Sequence, residues 1–191
     1  MLRLRAPTPA AWLATVLDGF DAFLQDHCAN ERKASASAVL LAVHYPERRA
    51  LVDAMVGLAR EELAHFARVY DLLARRGLTL GIDSPDPYMG AMTRLMRKGD
   101  SLQFLVDRLL VFGIVEARGC ERFELLAAAL PDAALRAFYA ELMRDEARHH
   151  GLFVRLANRY APRAVVAARL EALLDAEARL IAALPVRAAV H

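Results

Sequence analysis

Four glutamates and two histidines in this 191-residue chain repeat one pattern twice. Glu31 is followed 31 residues later by Glu62-Leu63-Ala64-His65, and Glu116 is followed 30 residues later by Glu146-Ala147-Arg148-His149. On a helix, a spacing of three residues puts Glu and His on one face a turn apart, so both can reach a common point. The near-equal offsets are what two antiparallel helices of similar length need to bring each lone glutamate level with its partner motif. Carboxylates mixed with imidazoles suit Fe(II) or Mn(II) better than structural zinc, which favours thiolates. The pattern predicts two metal ions, each with one His and one terminal carboxylate, joined by two bridging carboxylates. Which glutamates bridge stays open.

A single Glu-x-x-His is ordinarily a surface pair. Here all four glutamates fall on or next to apolar stripes, where a lone buried carboxylate is costly unless it is paired or metal-bound. Coordination removes that cost at every position. Glu61 and Asp145 precede the motif glutamates; Glu61 reads equally as an acceptor orienting a ligand histidine or as a solvated carboxylate, and Asp145 reads as the partner of Arg148. His150 competes with His149 through Glu-x-x-x-His, and the repeat favours His149. His27 lies one turn before Glu31, close enough to approach the site but not expected as a ligand. His44 falls at a helix end and His191 at the terminus. Cys28 and Cys120 read as small buried hydrophobes near Glu31 and Glu116.

The elements that must position these residues follow from helical periodicity and a few breakers. Thr8-Pro9 offers a cap and a first-turn proline for a short helix, which runs into a long one from about 17 to 44 with a bend near Gly19. Pro46 ends it. A second long helix spans 47–76, with Gly77 as its left-handed end. An extended loop, 77–100, carries a helical piece near 88–97 and is long enough to cross from one end of a bundle to the other. Ser101 is expected to cap a third long helix lasting to Leu130; Pro131-Asp132 opens a fourth to about Tyr160, and Pro162 precedes a final helix over 163–183. Two hairpins of long helices joined by a crossover predict an all-α, ferritin-like four-helix bundle with short N-terminal and C-terminal helices, as one domain over 1–191.

Composition agrees with that class. Hydrophobic residues make up 57%, with only nine glycines and eight prolines, so helix is favoured over strand. The net charge of +2 does not suggest a protein coated for nucleic acid. Two cysteines cannot build a disulfide framework, and no apolar leader or uninterrupted apolar span is visible, so a cytoplasmic, non-membrane protein is expected.

Four stretches together resemble one known family. They are His27-Cys28-Ala29-Asn30-Glu31-Arg32-Lys33-Ala34, Leu58 to Phe66 around the first motif, Ile114-Val115-Glu116-Ala117-Arg118-Gly119-Cys120-Glu121-Arg122-Phe123, and Asp145 to His149. In order and across all four core helices, they resemble the MiaE-type tRNA hydroxylases of the ferritin-like di-iron group. Arg32-Lys33 stands where relatives have what looks like a Lys-Lys pair, away from every proposed ligand. The resemblance implies an O2-dependent monooxygenase that hydroxylates the isopentenyl group of 2-methylthio-N6-isopentenyladenosine in tRNA. The implied cofactor is two iron ions held by Glu31, Glu62, His65, Glu116, Glu146 and His149, with O2 as co-substrate.

An unactivated allylic C–H bond needs an oxidant that no side chain supplies, which fits a di-iron site. No flavin or nicotinamide fingerprint is present, so an external reductase is expected. Arg94, Arg97, Lys98, Arg75 and Arg76 are candidate phosphate contacts, read equally as a solvated basic loop. A monomer or small homo-oligomer is expected. The alternatives are an iron-binding or oxidant-scavenging protein of the ferritin and rubrerythrin kind, which would form a large assembly, and a metal-free helical interaction module.

Overall fold

The computed structural model describes residues 3–191. Met1 and Leu2, the start of the segment read as lacking an apolar leader, lie outside the described residues. Among the described residues the chain is all helix, with seven helices and no strand: α1 (Ala10–Asp18), α2 (Phe20–His44), α3 (Arg49–Arg75), α4 (Pro87–Arg94), α5 (Ser101–Ala129), α6 (Ala133–Tyr160) and α7 (Arg163–Ala183). The bend expected near Gly19 is a break that separates α1 from α2. A Cβ at Gly19 would sit 3.2 Å from that of Ala188 and 3.3 Å from the Thr15 carbonyl oxygen, so a larger residue needs those neighbours to give by a few tenths of an ångström.

Packing divides the chain into two compact units, one of residues 15–84 with 187–190, the other of residues 3–14, 85–186 and 191. In the first unit α2 and α3 form a hairpin. Pro46 cannot continue α2, and the turn closes where the Arg48 amide donates to the Tyr45 carbonyl at 3.0 Å. The Ser35 hydroxyl donates to the Ala59 carbonyl at 2.8 Å and ties the two helices together near mid-length. α3 ends as its sequence demands: Gly77 adopts φ 70°, its amide donates to Ala74, and the Leu78 amide donates to Leu73. That pair of bonds satisfies carbonyls the helix leaves open and requires a left-handed residue. The segment after Gly77 runs back beside α2, held by Gln25 donating to the Thr79 carbonyl and by Arg32 gripping Asp83 with two bonds of 2.8 and 2.6 Å.

In the second unit α5 and α6 form the equivalent hairpin, and α7 lies against both while α4 packs on α5 and α7. Asp132 caps α6 by accepting from the Ala134 and Leu135 amides. Asp100, and not Ser101, caps α5: its carboxylate accepts from the Gln103 amide at 2.7 Å, while Ser101 is already the first helical residue. Both residue types cap well, and the carboxylate adds a favourable interaction with the helix dipole. α4 likewise starts earlier than expected, with Asp86 as cap and Pro87 in the first turn.

Two buried ion networks bind this unit. Arg118 donates to Glu177 from Nε and Nη2 at 2.9 and 3.0 Å, and its Nη1 contacts Glu121, which also accepts from the Thr8 amide and hydroxyl. Asp107 accepts from Arg97 and from Arg169, fastening the segment after α4 and helix α7 to α5.

Candidate metal centre

Helical periodicity delivers one triad in each hairpin. Along α3, the three-residue step from Glu62 to His65 keeps both on one face, and His65 Nδ1 lies 3.3 Å from Glu62 Oε2. Across the hairpin α2 supplies Glu31, whose Oε2 is 3.6 Å from the same imidazole nitrogen. One ligand atom from each of Glu31, Glu62 and His65 falls within 4.8 Å of the others. In the other hairpin α5 supplies Glu116 and α6 supplies Glu146 and His149, again with one ligand atom each within 4.8 Å of the others. There His149 Nδ1 is 3.8 Å from Glu146 Oε2. Glu116 is half-buried and the other five are buried, Glu62 to 1% exposure.

The electrostatics of the first triad are those of a site built around negative charge. Burial alone would push the Glu31 carboxyl up, but the hydrogen bond with His27 and the nearby His65 imidazole outweigh it and hold the group well below the usual carboxylate range. Burial would likewise lower His65, yet its bonds to Glu31 and Glu62 raise the imidazole to about 10. Without metal, His65 therefore carries a proton at neutral pH. A divalent cation replaces that proton, because an imidazole nitrogen must be unprotonated to bind metal.

The donor chemistry fits two divalent ions. Four carboxylates supply four negative charges, two imidazoles supply soft neutral nitrogens, and no thiolate competes. Burial pushes the Cys28 thiol up to about 11 and the Cys120 thiol up to about 12. Both behave as small hydrophobes, with Cys120 Sγ directed to the Met143 carbonyl at 3.2 Å.

The neighbouring polar residues sort by their partners. His150 Nδ1 lies 2.7 Å from the Gly113 carbonyl, which can only accept, so that nitrogen donates to α5 and His150 stands apart from the triad. Asp145 pairs with Arg148 at 2.5 Å, Glu61 is exposed, and His44 is exposed at its helix end. His191 stacks on Tyr88 with centroids 5.2 Å apart. Of the basic candidates, Arg97 is taken up by Asp107 and Arg76 by Asp21, while Arg75, Arg94 and Lys98 are exposed. One contributor goes beyond the sequence reading: His27 is fully buried, with Nε2 2.7 Å from Glu31 Oε1. Its only signal was a position one turn before Glu31.

The chain as a whole is similar to known proteins. A family model described as tRNA-(MS[2]IO[6]A)-hydroxylase (MiaE) matches residues 2–191. This chain belongs to the MiaE family of tRNA hydroxylases. A relative from Pseudomonas putida, named tRNA 2-(methylsulfanyl)-N(6)-isopentenyladenosine(37) hydroxylase, is 39% identical over 178 residues, covering 93% of this chain and 86% of the relative. A protein of the same name from Salmonella typhimurium is 29% identical over 227 aligned positions, covering 93% of this chain and 83% of its own length. A solved structure, described as "Protein 43 with aldehyde deformylating oxygenase activity from Synechococcus", matches with a TM-score of 0.93 and 36% identity over 100% of this chain and 96% of that one. The fold class is therefore all-α and ferritin-like, as the sequence led us to expect, and the chain is an oxygenase-family enzyme. Among the described residues no helix is long and apolar enough to cross a membrane.

Proposed function

We propose that this enzyme hydroxylates the isopentenyl group of 2-methylthio-N6-isopentenyladenosine in tRNA, with O2 as co-substrate. Its di-iron centre is held by Glu31, Glu62, His65, Glu116, Glu146 and His149 within a single domain over 1–191. The observation that carries the reading is the Glu plus Glu-x-x-His triad, buried but for the half-buried Glu116 and present once in each hairpin of a chain that matches the hydroxylase family over residues 2–191. Two iron ions held by these residues would supply electrons that activate O2 for attack on an allylic C–H bond.

The chain's own residues do the rest. Glu31, Glu62, Glu116 and Glu146 balance the charge of two divalent ions, so that the loaded site is close to neutral in a buried setting where net charge is costly. His65 and His149 add one nitrogen each. Cys28, Leu58 and Ala59 near the first triad, with Val115, Ala117 and Cys120 near the second, are buried and present no carboxylate or amine to compete for metal. Electrons come from an external reductase, and tRNA in the cytoplasm is the substrate-bearing partner of a monomer or small homo-oligomer.

Two other readings remain distinct in their consequences. The Synechococcus protein is named for an aldehyde deformylating oxygenase activity, which makes an aldehyde a second candidate substrate here. A ferritin-like iron store would need a large self-assembly. The deciding experiment digests tRNA from cells with and without this protein and looks for a gain of about 16 mass units on isopentenyladenosine, one inserted oxygen. Loss of the hydroxylated nucleoside in the deletion strain and its restoration by the gene support the proposal. Unchanged hydroxylation in the deletion strain sinks it, and turnover of an aldehyde by purified protein in that case supports the second reading.

A further inference from the structure

The two halves of the ligand repeat differ at one telling position. Four residues before the lone glutamate stands His27 in the first half and Phe112 in the second. A spacing of four on a helix places the earlier side chain directly over the later one. His27 uses that position: it is fully buried beside the Phe23 ring, with centroids 5.7 Å apart, and its Nε2 lies 2.7 Å from Glu31 Oε1. The other oxygen, Oε2, is the one that faces His65 at 3.6 Å. An ionised carboxylate only accepts, so His27 Nε2 carries the hydrogen and donates it. Such a bond to a charged acceptor is short and strong. A phenyl ring at 112 has no N–H to offer Glu116 in the same way.

We propose that His27 is a positioning residue that ties up Glu31 Oε1 and leaves Oε2 alone to face a metal, so that Glu31 binds through one oxygen and the two metals have unlike surroundings. This rests on the di-iron reading above. The asymmetry comes from the residue one turn before the lone glutamate, His27 in one half and Phe112 in the other, and it acts on a single ligand of a single hairpin. Without the donor, Oε1 is released and both oxygens of Glu31 are free to chelate.

The test exchanges the first half's residue for the second half's. His27→Phe removes the donor and keeps a buried ring; His27→Gln keeps a side-chain N–H. Protein loaded anaerobically with 57Fe(II) is examined by Mössbauer spectroscopy and by Fe(II) titration. Wild type should show two quadrupole doublets of equal area. In H27F one doublet should shift while the other stays, and one of the two binding steps should weaken about 10- to 100-fold, the usual effect of removing a residue that orients a ligand. H27Q should restore both readouts most of the way. An H27F protein with both doublets unchanged, or with both displaced alike, overturns the proposal.

Should H27F fold poorly, wild-type protein loaded with 113Cd and labelled at histidine nitrogen decides the matter by NMR. His27 should keep its Nε2 proton after loading. Loss of that proton, or scalar coupling between cadmium and a His27 nitrogen, overturns the positioning role. Wild-type protein that takes up no metal removes the di-iron reading together with this one, whereas two bound metals with an indifferent H27F removes this one alone.

Discussion

The hairpin of α2 and α3 and the hairpin of α5 and α6 carry the same Glu and Glu-x-x-His pattern on very different supports. α5 is buried along most of its length, including Asp107, Arg108, Arg118 and Arg122, and α7 covers it. α2 and α3 instead leave Val39, Leu40, Val43, Val56, Leu63 and Tyr70 exposed. One pattern of Glu and Glu-x-x-His is thus held in the second hairpin by buried ion networks, and in the first by helix-to-helix contacts and a histidine on Glu31. Ligand spacing is a local property that each hairpin can satisfy independently, while the means of rigidifying it depends on what else the chain has available.

The largest expected effect tests what the halves share. Glu62→Ala and Glu146→Ala, one in each hairpin, should each abolish hydroxylation and weaken metal binding by more than about 100-fold, beyond the range for residues that only orient ligands. Metal content and nucleoside analysis check this. A variant that keeps two irons and full turnover breaks the equivalence of the triads.

Next comes the support peculiar to the second hairpin. Glu177→Ala leaves the fully buried Arg118 with Glu121 as its remaining carboxylate partner, and should cost about 3 kcal/mol in urea unfolding, at the low end for broken buried pairs. Replacing both residues, with R118M and E177L together, should recover most of that loss, because an apolar pair of similar volume needs no charge compensation. Burial pushes the Glu177 carboxyl above its ordinary value despite Arg118, whereas Glu177 and Glu121 push the Arg118 guanidinium above its own against burial.

A third prediction concerns pH in the first hairpin. In metal-free protein His65 is raised to about 10 by its two carboxylates, against burial. Its contribution to stability is complete below the unfolded value of about 6.5 and is lost as pH rises through the folded value. Metal must displace the same proton, so between those limits affinity for the metal held by His65 should rise by up to about tenfold per pH unit. Calorimetry in two buffers of different ionisation enthalpy should register the released proton. Equal heats in both buffers would contradict the assignment.

The smallest effect is local to the end of α3. Gly77→Ala should cost about 1 kcal/mol in thermal or urea unfolding, since φ 70° disfavours a Cβ although no atom obstructs it. It should leave metal binding untouched.

Much of this was legible in the chain. Pro46, Gly77, Asp132 and Pro162 mark helix ends because their backbone chemistry is local, and the boundaries expected there lie within a few residues of those observed. The exceptions have local causes too: Asp100 outcompetes Ser101 as a cap by one position, and Gly19 breaks the helix it was expected to bend. The grouping of each Glu with its Glu-x-x-His was legible because a spacing of three puts both side chains on one helix face, and a carboxylate on an apolar stripe is costly to bury without a partner. His27 was only half visible. A histidine four residues before a glutamate can face it or face solvent, and periodicity does not choose between them.

The sequence by itself determined helix, hairpin and the sharing of one face by each Glu-x-x-His pair, since each depends on residues a few positions apart. Only the tertiary structure decided that Arg118 meets Glu177 across 59 residues, that Asp107 collects Arg97 and Arg169, and that Glu31 turns one oxygen to His27 and the other to His65. Those choices are made by packing, where a charged group takes whichever partner the folded chain brings within reach once water has been excluded.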